Sequence, residues 1–289
     1  MERADATPEA VGLPPDPTHV VTVLVHTHND GSFIEQCLEG IVNQRFSQPY
    51  RCVVYDDAST DETVEVARAF AAKHPSLFHL VLQRENQVAR GARAPWLASL
   101  TPAVSEYVAL CAGDDLWLDE RKLESQWQFM NRNPWCAVSH HDVEIEVLDD
   151  PNDYAAEVTR LISDCRPPID RVPGTELASG NWIVASAIML RSSAIPGGLV
   201  RLGGARAALD YLVAFLSAST GDIGYIPIPM ARYRIHSGDA WTAMTSVERH
   251  AREAEALWFL AAHLQGAARD VCRQRLSTIA SLGWSGVHA

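Results

Sequence analysis

The chain has 289 residues, of which 47% are hydrophobic and 21% are charged, and its formal net charge is −12 at pH 7. This composition predicts a globular protein with a sizeable core, in one large domain or one domain with an appended piece. The acidic balance argues against nucleic acid or an anionic membrane as partner, but not against a nucleotide whose phosphates a metal neutralises.

Targeting signals and cysteine motifs are not evident in the sequence. No apolar run reaches the length of a membrane span, and the N-terminus lacks the basic and apolar regions of a secretory signal. The six cysteines form no CxxC motif, which favours reduced, buried thiols over a disulfide or zinc framework. We therefore expect a cytoplasmic protein without a transmembrane segment.

Strand and helix patterns alternate through the first 111 residues. Residues 1–18 are rich in Ala, Pro and acidic residues, which predicts a disordered tail. Short apolar runs predict buried strands at 20–25, 50–55, 77–82 and 107–111. Helical patterns follow the first three of them; the third covers about 86–100. Such alternation predicts parallel βαβ units.

Two serine–glutamate pairs have the spacing of helix capping boxes. They are Ser32 with Glu35 and Ser59 with Glu62, at the starts of the first two predicted helices.

The second half of the chain is less regular. A polar, Pro-rich stretch at 149–175 predicts a long loop or lid with a short helix at 153–162. Helices are expected at 119–131, 205–219, 247–264 and 267–282, and strands at 137–147, 181–190 and 224–228.

Acidic pairs follow two of the predicted strands. Asp57 ends the second strand run and Asp114 follows the fourth, each beside another aspartate. Because parallel strands share one carboxyl edge, Asp57 and Asp114 could converge across a single crevice. Paired carboxylates suit a divalent cation or ligand hydroxyl groups, whereas a solvated Gly-Asp-Asp turn is the alternative.

Five blocks in order resemble family 2 glycosyltransferases with the GT-A fold. They are VTVLVHTHNDGSFIEQCLEGIVNQ, VVYDDASTDET, Asn86 with GARA, GDDLWLDERKL, and LDYLVAFLSASTGDIGYIPIPMARYRIHSGDAW, spanning roughly 20–242. The resemblance implies an α/β fold, a Rossmann-like, mostly parallel sheet flanked by helices. It also implies a glycosyltransferase domain at 19–242, with a nucleotide-binding half at 19–118, an acceptor-binding half at 119–242, and C-terminal helices at 243–289.

The resemblance assigns the donor site to the first half of this domain. It implies a UDP- or dTDP-sugar donor, whose base and ribose would contact Thr27, Asn29 and Asp57. A helix cap is the structural alternative for Asp57.

The metal site is likewise implied by the resemblance. Asp114 would hold Mg²⁺ or Mn²⁺ on the diphosphate, with His236 as a further ligand or else a structural or acceptor-side residue. Arg234 would pair with the diphosphate or with a carboxylate, and Asp115 would orient the loop.

The acceptor side rests on three residues. Asp210 matches the general base of inverting members, and an aspartate placed early in a helix for the dipole is the alternative. Trp182 and Trp241 would stack on a sugar or acceptor, or simply lie in the core. The acceptor would be a small molecule, glycan or peptide, and the terminal helices could support a homodimer.

Two positions depart from the family pattern. Ala112 stands where the family usually has an acid, so the DxD motif keeps one acid and the metal requirement is uncertain. His26 and His28 stand where the family often has Pro and an aromatic residue. Two alternatives therefore stay open: a non-catalytic sugar-nucleotide binder, which Ala112 favours, and another nucleotide-dependent enzyme such as a nucleotidyltransferase. The absence of GxGxxG and Walker A motifs disfavours the second.

His140, His141 and Asp142 form one further polar cluster. Successive strand residues face opposite sides of a sheet, so the two histidines are not expected to share an ion. A structural role is predicted for them.

Overall fold

A mixed sheet of ten strands forms the centre of the described structure. The computed structural model describes residues 8–11, 18–87, 105–165, 170–195 and 209–281, without the side chains at 163–165, 179 and 209. The strands are β1 (Glu9–Val11), β2 (Val21–Thr27), β3 (Tyr50–Asp56), β4 (Phe78–Leu82), β5 (Tyr107–Ala112), β6 (Leu116–Trp117), β7 (Cys136–Val147), β8 (Arg171–Val172), β9 (Met189–Arg191) and β10 (Asp222–Ile235).

The longest strand pairings are parallel. The order across the sheet is β1-β4-β3-β2-β5-β9-β7-β10-β6, with β8 beside β10. Strands β4, β3, β2 and β5 are parallel neighbours, as are β7 and β10. The antiparallel strand β9 joins these two groups. The predicted mostly parallel, Rossmann-like sheet flanked by helices is confirmed.

Helices cover both faces of the sheet. They are α1 (Ile34–Val42), α2 (Thr63–Lys73), α3 (Lys122–Arg132), α4 (Tyr154–Cys165), α5 (Leu209–Ala218), α6 (Ser246–His263) and α7 (Gly266–Ser281). Residues from α1, α2 and α3 share one apolar cluster with Val23 and Val25, while residues from α5, α6 and α7 share another with Leu24. Alternate residues of β2 thus face opposite layers, as expected for a strand buried on both sides.

The five cysteines whose side chains are described are free and buried, as the sequence predicts. Among the helices of the described ranges, none has the combined length and apolar character that crossing a bilayer requires.

The two predicted capping boxes do not form. Helix α1 starts at Ile34, and its first N–H groups bond to the Asp30 carbonyl instead. Helix α2 starts at Thr63, whose N–H bonds to the Asp61 carboxylate. A backbone carbonyl at α1 and the Asp61 side chain at α2 thus accept N–H groups at the helix starts, in place of the serine–glutamate pairs.

Three other expectations need correction. Residues Glu9–Val11, within the predicted disordered tail, pair with β4 at the sheet edge; most of that tail lies outside the described residues. Stretch 181–190 is not a continuous strand: it contains a short 3₁₀ helix at Ala185–Ala187, and only its end enters β9. The strand predicted at 224–228 is longer, because bulges let β10 continue past Pro227 and Pro229 to Ile235. The helix predicted at 86–100 falls mainly on residues that are not described.

Candidate active site

The loops after β2 and β3 are joined at the carboxyl edge of the sheet. Asn29 has a positive φ of 59° and accepts a hydrogen bond from the Thr60 N–H through its side-chain oxygen, at 2.8 Å. Its own N–H donates to Ser59 Oγ at 2.8 Å. The N–H of Asp57 donates to the Thr27 carbonyl at 3.0 Å. Three residues predicted to bind the nucleotide, Thr27, Asn29 and Asp57, therefore lie in one connected cluster.

Asp57 is buried and holds the chain that follows β4. Its Oδ1 accepts a hydrogen bond from the N–H of Gln87 at 2.8 Å. Because α2 begins six residues later with Glu62 at its N-cap, Asp57 does not cap this helix. The structural alternative of a helix cap is therefore excluded, and its nucleotide contact stays a prediction.

Asp114 contacts His236 at the end of β10. Asp114 Oδ2 lies 3.2 Å from His236 Nε2, and this hydrogen bond raises the pKa of His236. Phe33 packs on the imidazole, with ring centroids 4.6 Å apart. Two adjacent ligands of one ion at about 2.1 Å lie about 3 Å apart, so this pair fits a shared divalent cation. Within the described residues, no group of three or more His, Cys, Asp or Glu residues has the geometry of a preformed metal site.

Asp30 is a further acid at this edge that the sequence did not single out. It accepts a hydrogen bond from Thr27 Oγ1 at 2.6 Å. Burial, and then the charge of Asp114, raise its pKa to about 7. Gly113 makes this approach possible, because a Cβ there would lie 2.5 Å from Asp30 Oδ2 and from Thr27 Oγ1. The loops after β2 and β5 thus meet too closely for a side chain at position 113.

Asp115 orients the loop, as predicted. It is 1% exposed, and its carboxylate accepts hydrogen bonds from Ser186 Oγ and from the backbone N–H of Arg234 at 3.0 Å. Asp114 is thereby turned toward the cavity while Asp115 faces the protein.

Arg234 pairs with a carboxylate, which is one of the two partners predicted for it. Its Nε donates to Glu146 at 2.9 Å, its Nη1 donates to the Asp114 carbonyl at 3.0 Å, and its Nη2 donates to Gln36. The side chain is only 5% exposed. The guanidinium therefore ties β10 to α1 and to the loop that carries Asp114. Its contact with a diphosphate stays a prediction.

A cavity of about 180 Å³ opens beside this loop. Asp114 and Asp210 line it together, and both tryptophans predicted to contact the acceptor, Trp182 and Trp241, form part of its wall. Asp57 lies at the same sheet edge but is not among the lining residues. Asp114 and Asp210 therefore share the cavity, while Asp57, which was expected to converge with Asp114, lies in the neighbouring loop cluster.

Asp210 lies in the first turn of α5, where its carboxyl is half-buried. Burial raises its pKa, which its backbone contacts and the nearby His26 partly offset. Burial likewise lowers the pKa of His26, so a neutral imidazole faces an ionisable carboxyl across the cavity. A carboxylate of raised pKa in a cavity is suited to accept a proton.

Other cavity residues were missed in the sequence. Asp239 has a pKa raised by burial and then by Asp114, and Tyr154 comes from α4 within the predicted lid. Asn181 Oδ1 is buried and makes no hydrogen bond in the part of the chain that is described. No local motif marks these residues, because they come from separate elements that only the fold brings together.

Comparison with known families supports the sequence resemblance. Residues 22–163 match the family model described as glycosyl transferase family 2. The protein Rv1520 of Mycobacterium tuberculosis is 29% identical over 225 residues, which cover 76% of this chain and 60% of that protein. The glycosyltransferase GlyG of Streptococcus pneumoniae is 28% identical over 111 residues, 38% of this chain and 35% of that one. The chain thus spans about 60% of the length of its mycobacterial relative.

Solved structures share the fold at low sequence identity. TarS residues 1–349 of S. aureus, solved with UDP-GlcNAc, superpose with a TM-score of 0.61 at 15% identity, covering 90% of this chain and 71% of that one. The mannosyltransferase PcManGT of Pyrobaculum calidifontis, in complex with GDP-Man and Mn²⁺, gives a TM-score of 0.58 at 20% identity, covering 94% and 78%. Both structures hold a nucleotide sugar, and their likeness to this chain confirms the predicted GT-A fold.

Proposed function

We propose that this chain, in which residues 22–163 are a family 2 glycosyltransferase segment, moves a sugar from a nucleoside-diphosphate sugar to an acceptor hydroxyl with inversion. The observation that carries the proposal is the shared cavity of Asp114 and Asp210. One acid belongs to the loop that would hold the leaving diphosphate, and the other is a buried candidate base.

The donor half of the reaction is assigned to the loop cluster and the metal pair. Thr27, Asn29 and Asp57 would bind the base and ribose, and Asp114 with His236 would hold Mn²⁺ or Mg²⁺. The cation would neutralise charge that builds on the diphosphate as it leaves. The solved relatives carry UDP, UDP-GlcNAc or GDP-Man, so the donor nucleotide is tested as a panel.

The acceptor half is assigned to Asp210. Its carboxylate would take the proton of the acceptor hydroxyl as that oxygen bonds to the anomeric carbon, while the bond to the diphosphate breaks on the opposite face. Burial supports this role because it raises the pKa and therefore the basicity of the carboxylate. Trp182 and Trp241, on the same cavity wall, would hold the acceptor.

Replacing the base tests this assignment. Asp210→Asn should bind a nucleoside diphosphate with unchanged affinity but release nucleotide from the sugar donor at least about 100-fold more slowly in the presence of acceptor, because only the proton acceptor is lost. A screen of UDP-, dTDP- and GDP-sugars, with nucleotide release as the readout, identifies the donor first. Near-normal turnover in Asp210→Asn would remove this residue from the base role.

A non-catalytic nucleotide-sugar binder is the second candidate. Ala112 in place of the usual acid is the feature that favours it. Calorimetry with UDP and GDP, with and without Mn²⁺, measures nucleotide binding, and the nucleotide-release screen measures turnover. A binder would take up the nucleotide in the first experiment without releasing it from a sugar donor in the second.

A further inference from the structure

His140 is a buried imidazole whose outer nitrogen has no hydrogen-bond partner in the described structure. The side chain comes from the middle of β7 and is 5% exposed. It stacks on Tyr225 at a centroid distance of 5.0 Å and 28°, and the Trp182 ring meets it edge-on, also at 5.0 Å. Nε2 is fully buried and unbonded among the described residues.

The protonation of this ring is fixed by its surroundings. The ring hydrogen-bonds to the backbone of His141, and burial lowers its pKa to about 3. Since Nε2 is the unbonded nitrogen, the backbone contact is made by Nδ1, which carries the proton as donor to a carbonyl. Nε2 is then a lone-pair acceptor on a neutral ring, and a buried acceptor of this kind is costly unless a donor group reaches it.

A small pocket, the His140 pocket, is lined in part by this side chain. Its volume is about 20 Å³, and its wall includes His140, Asp142, Ile162, Trp182, Val184 and Tyr225. The Tyr225 hydroxyl donates to Asp142 Oδ1 at 2.7 Å. This volume holds one water-sized group, such as a single hydroxyl. An anion would meet both the imidazole lone pair and the Asp142 carboxylate, so the fitting group is a neutral hydrogen-bond donor.

The His140 pocket adjoins the main cavity on its acceptor side. The two share Ile162, Trp182 and Val184, so Trp182 forms a wall common to both. The pocket shares none of the cavity's acids, which are Asp114, Asp115, Asp210 and Asp239. A group that enters it therefore lies away from the metal pair and the base.

We propose that the His140 pocket is an acceptor subsite that takes one non-reacting hydroxyl of a sugar acceptor as a hydrogen-bond donor to His140 Nε2, with the sugar ring against Trp182. This inference rests on the proposed glycosyltransferase function and names its acceptor class as a glycoside. A simple alcohol or a serine peptide would leave the nitrogen unpaired.

Matched variants test the subsite with methyl glycosides of glucose, galactose, mannose and N-acetylglucosamine as acceptors. His140→Leu, which removes the acceptor nitrogen, should raise the KM of the active glycoside about 10- to 100-fold, while His140→Gln, which keeps an acceptor atom, should lose less. The affinity for the nucleoside diphosphate should not change in either. With the wild type, one monodeoxy analogue of the glycoside should have a KM raised by the same factor. With His140→Leu, the loss of that hydroxyl should not raise the KM further.

A second variant covers the case in which His140→Leu does not fold. Val184→Ile adds one methylene to the lining of the His140 pocket and should raise the same KM without altering His140. Equal kcat/KM for the wild type and a folded variant would mean that the pocket holds a buried water only and would overturn the inference. So would a change in donor affinity in place of acceptor KM. Absence of nucleotide release from every donor, despite nucleotide binding, would instead overturn the proposed function, and the subsite with it.

Discussion

Asp210 illustrates how burial sets chemistry at a single residue. Its half-buried carboxyl at the start of α5 has a pKa above the ordinary value of 3.8, although the backbone contacts and His26 oppose the shift. A carboxyl in this state is protonated, and inactive as a base, over a wider range of acid pH than an exposed aspartate.

The pH dependence of turnover follows directly. Below the raised pKa of Asp210 the base is protonated, so kcat should fall on the acid side, with its midpoint above 3.8. The measurement is a kcat–pH profile under saturating donor and acceptor. A rate that stays constant down to about pH 4 would show that this carboxyl does not titrate in the rate-limiting step.

His236 should make metal binding depend on pH. Asp114 raises the pKa of this imidazole, and a ligating imidazole must first lose its proton. Mn²⁺ affinity should therefore fall as the pH drops through that raised pKa, which lies above 6.5. Calorimetry with Mn²⁺ across this range measures it, with His236→Asn as the control that should bind more weakly and lose this pH dependence. A pH-independent affinity in the wild type would exclude His236 as a ligand.

Motif positions singled out residues that the fold brings together. Asp114 contacts His236 and shares a cavity with Asp210, while the roles of all three stay predictions. Arg234 was ambiguous because a guanidinium suits phosphate and carboxylate equally well, and the sequence does not decide between them. Asp30 and Asn181 were missed because their importance comes from neighbours distant in sequence.

Among the elements, β10 links the loop that carries Asp114 to the rest of the sheet through Arg234. The guanidinium, 5% exposed, bonds to a carboxylate, a carbonyl and an amide on three different segments. Arg232, two residues earlier on the same strand, pairs with Glu144 at a surface where the two side chains are 32% and 50% exposed.

These two arginines form a matched pair for stability. Arg234→Met should lower the free energy of unfolding by roughly 2–3 kcal/mol, because it removes the hydrogen bonds that a buried guanidinium makes to three segments. Arg232→Met should change it by less than about 1 kcal/mol, since exposed ion pairs contribute little. Urea denaturation measures both. Equal effects would mean that burial does not distinguish the two sites.

Element type was predictable, while helix starts and strand joins were not. Apolar runs give β2, β3 and β5 because both faces of these strands are buried. Capping boxes were predicted for α1 and α2, where they do not form. A capping box that was not predicted forms between Thr245 and Glu248 at the start of α6. Spacing alone does not reveal which competing side chain reaches the free N–H groups.

At the scale of the whole molecule, the C-terminal helices belong to the main core. Buried residues of α6 and α7 share one apolar cluster with α5, the helix that carries Asp210. The sequence predicted these helices but left open whether they pack on the sheet or support a dimer. Periodicity marks an apolar face without identifying its partner, and a dimer stays a proposal.

Two large apolar residues on α6 test this packing. Leu260→Ala, at a position that is 0% exposed, should lower the free energy of unfolding by about 2–5 kcal/mol by opening a cavity. Trp258→Ala, on the same helix but 68% exposed, should change it by less than about 1 kcal/mol. Thermal and urea unfolding give both values. A larger loss at Trp258 would indicate that its face is covered, as in a dimer.

The most direct test of the account is a crystal structure with Mn²⁺ and the nucleotide sugar selected by the donor screen, using Asp210→Asn to prevent turnover. We expect an anomalous manganese peak about 2.0–2.3 Å from Asp114 and His236, the base near Asp57, and the anomeric carbon in the cavity between Asp114 and position 210. A nucleotide sugar bound elsewhere, or with its anomeric carbon turned away from position 210, would contradict it.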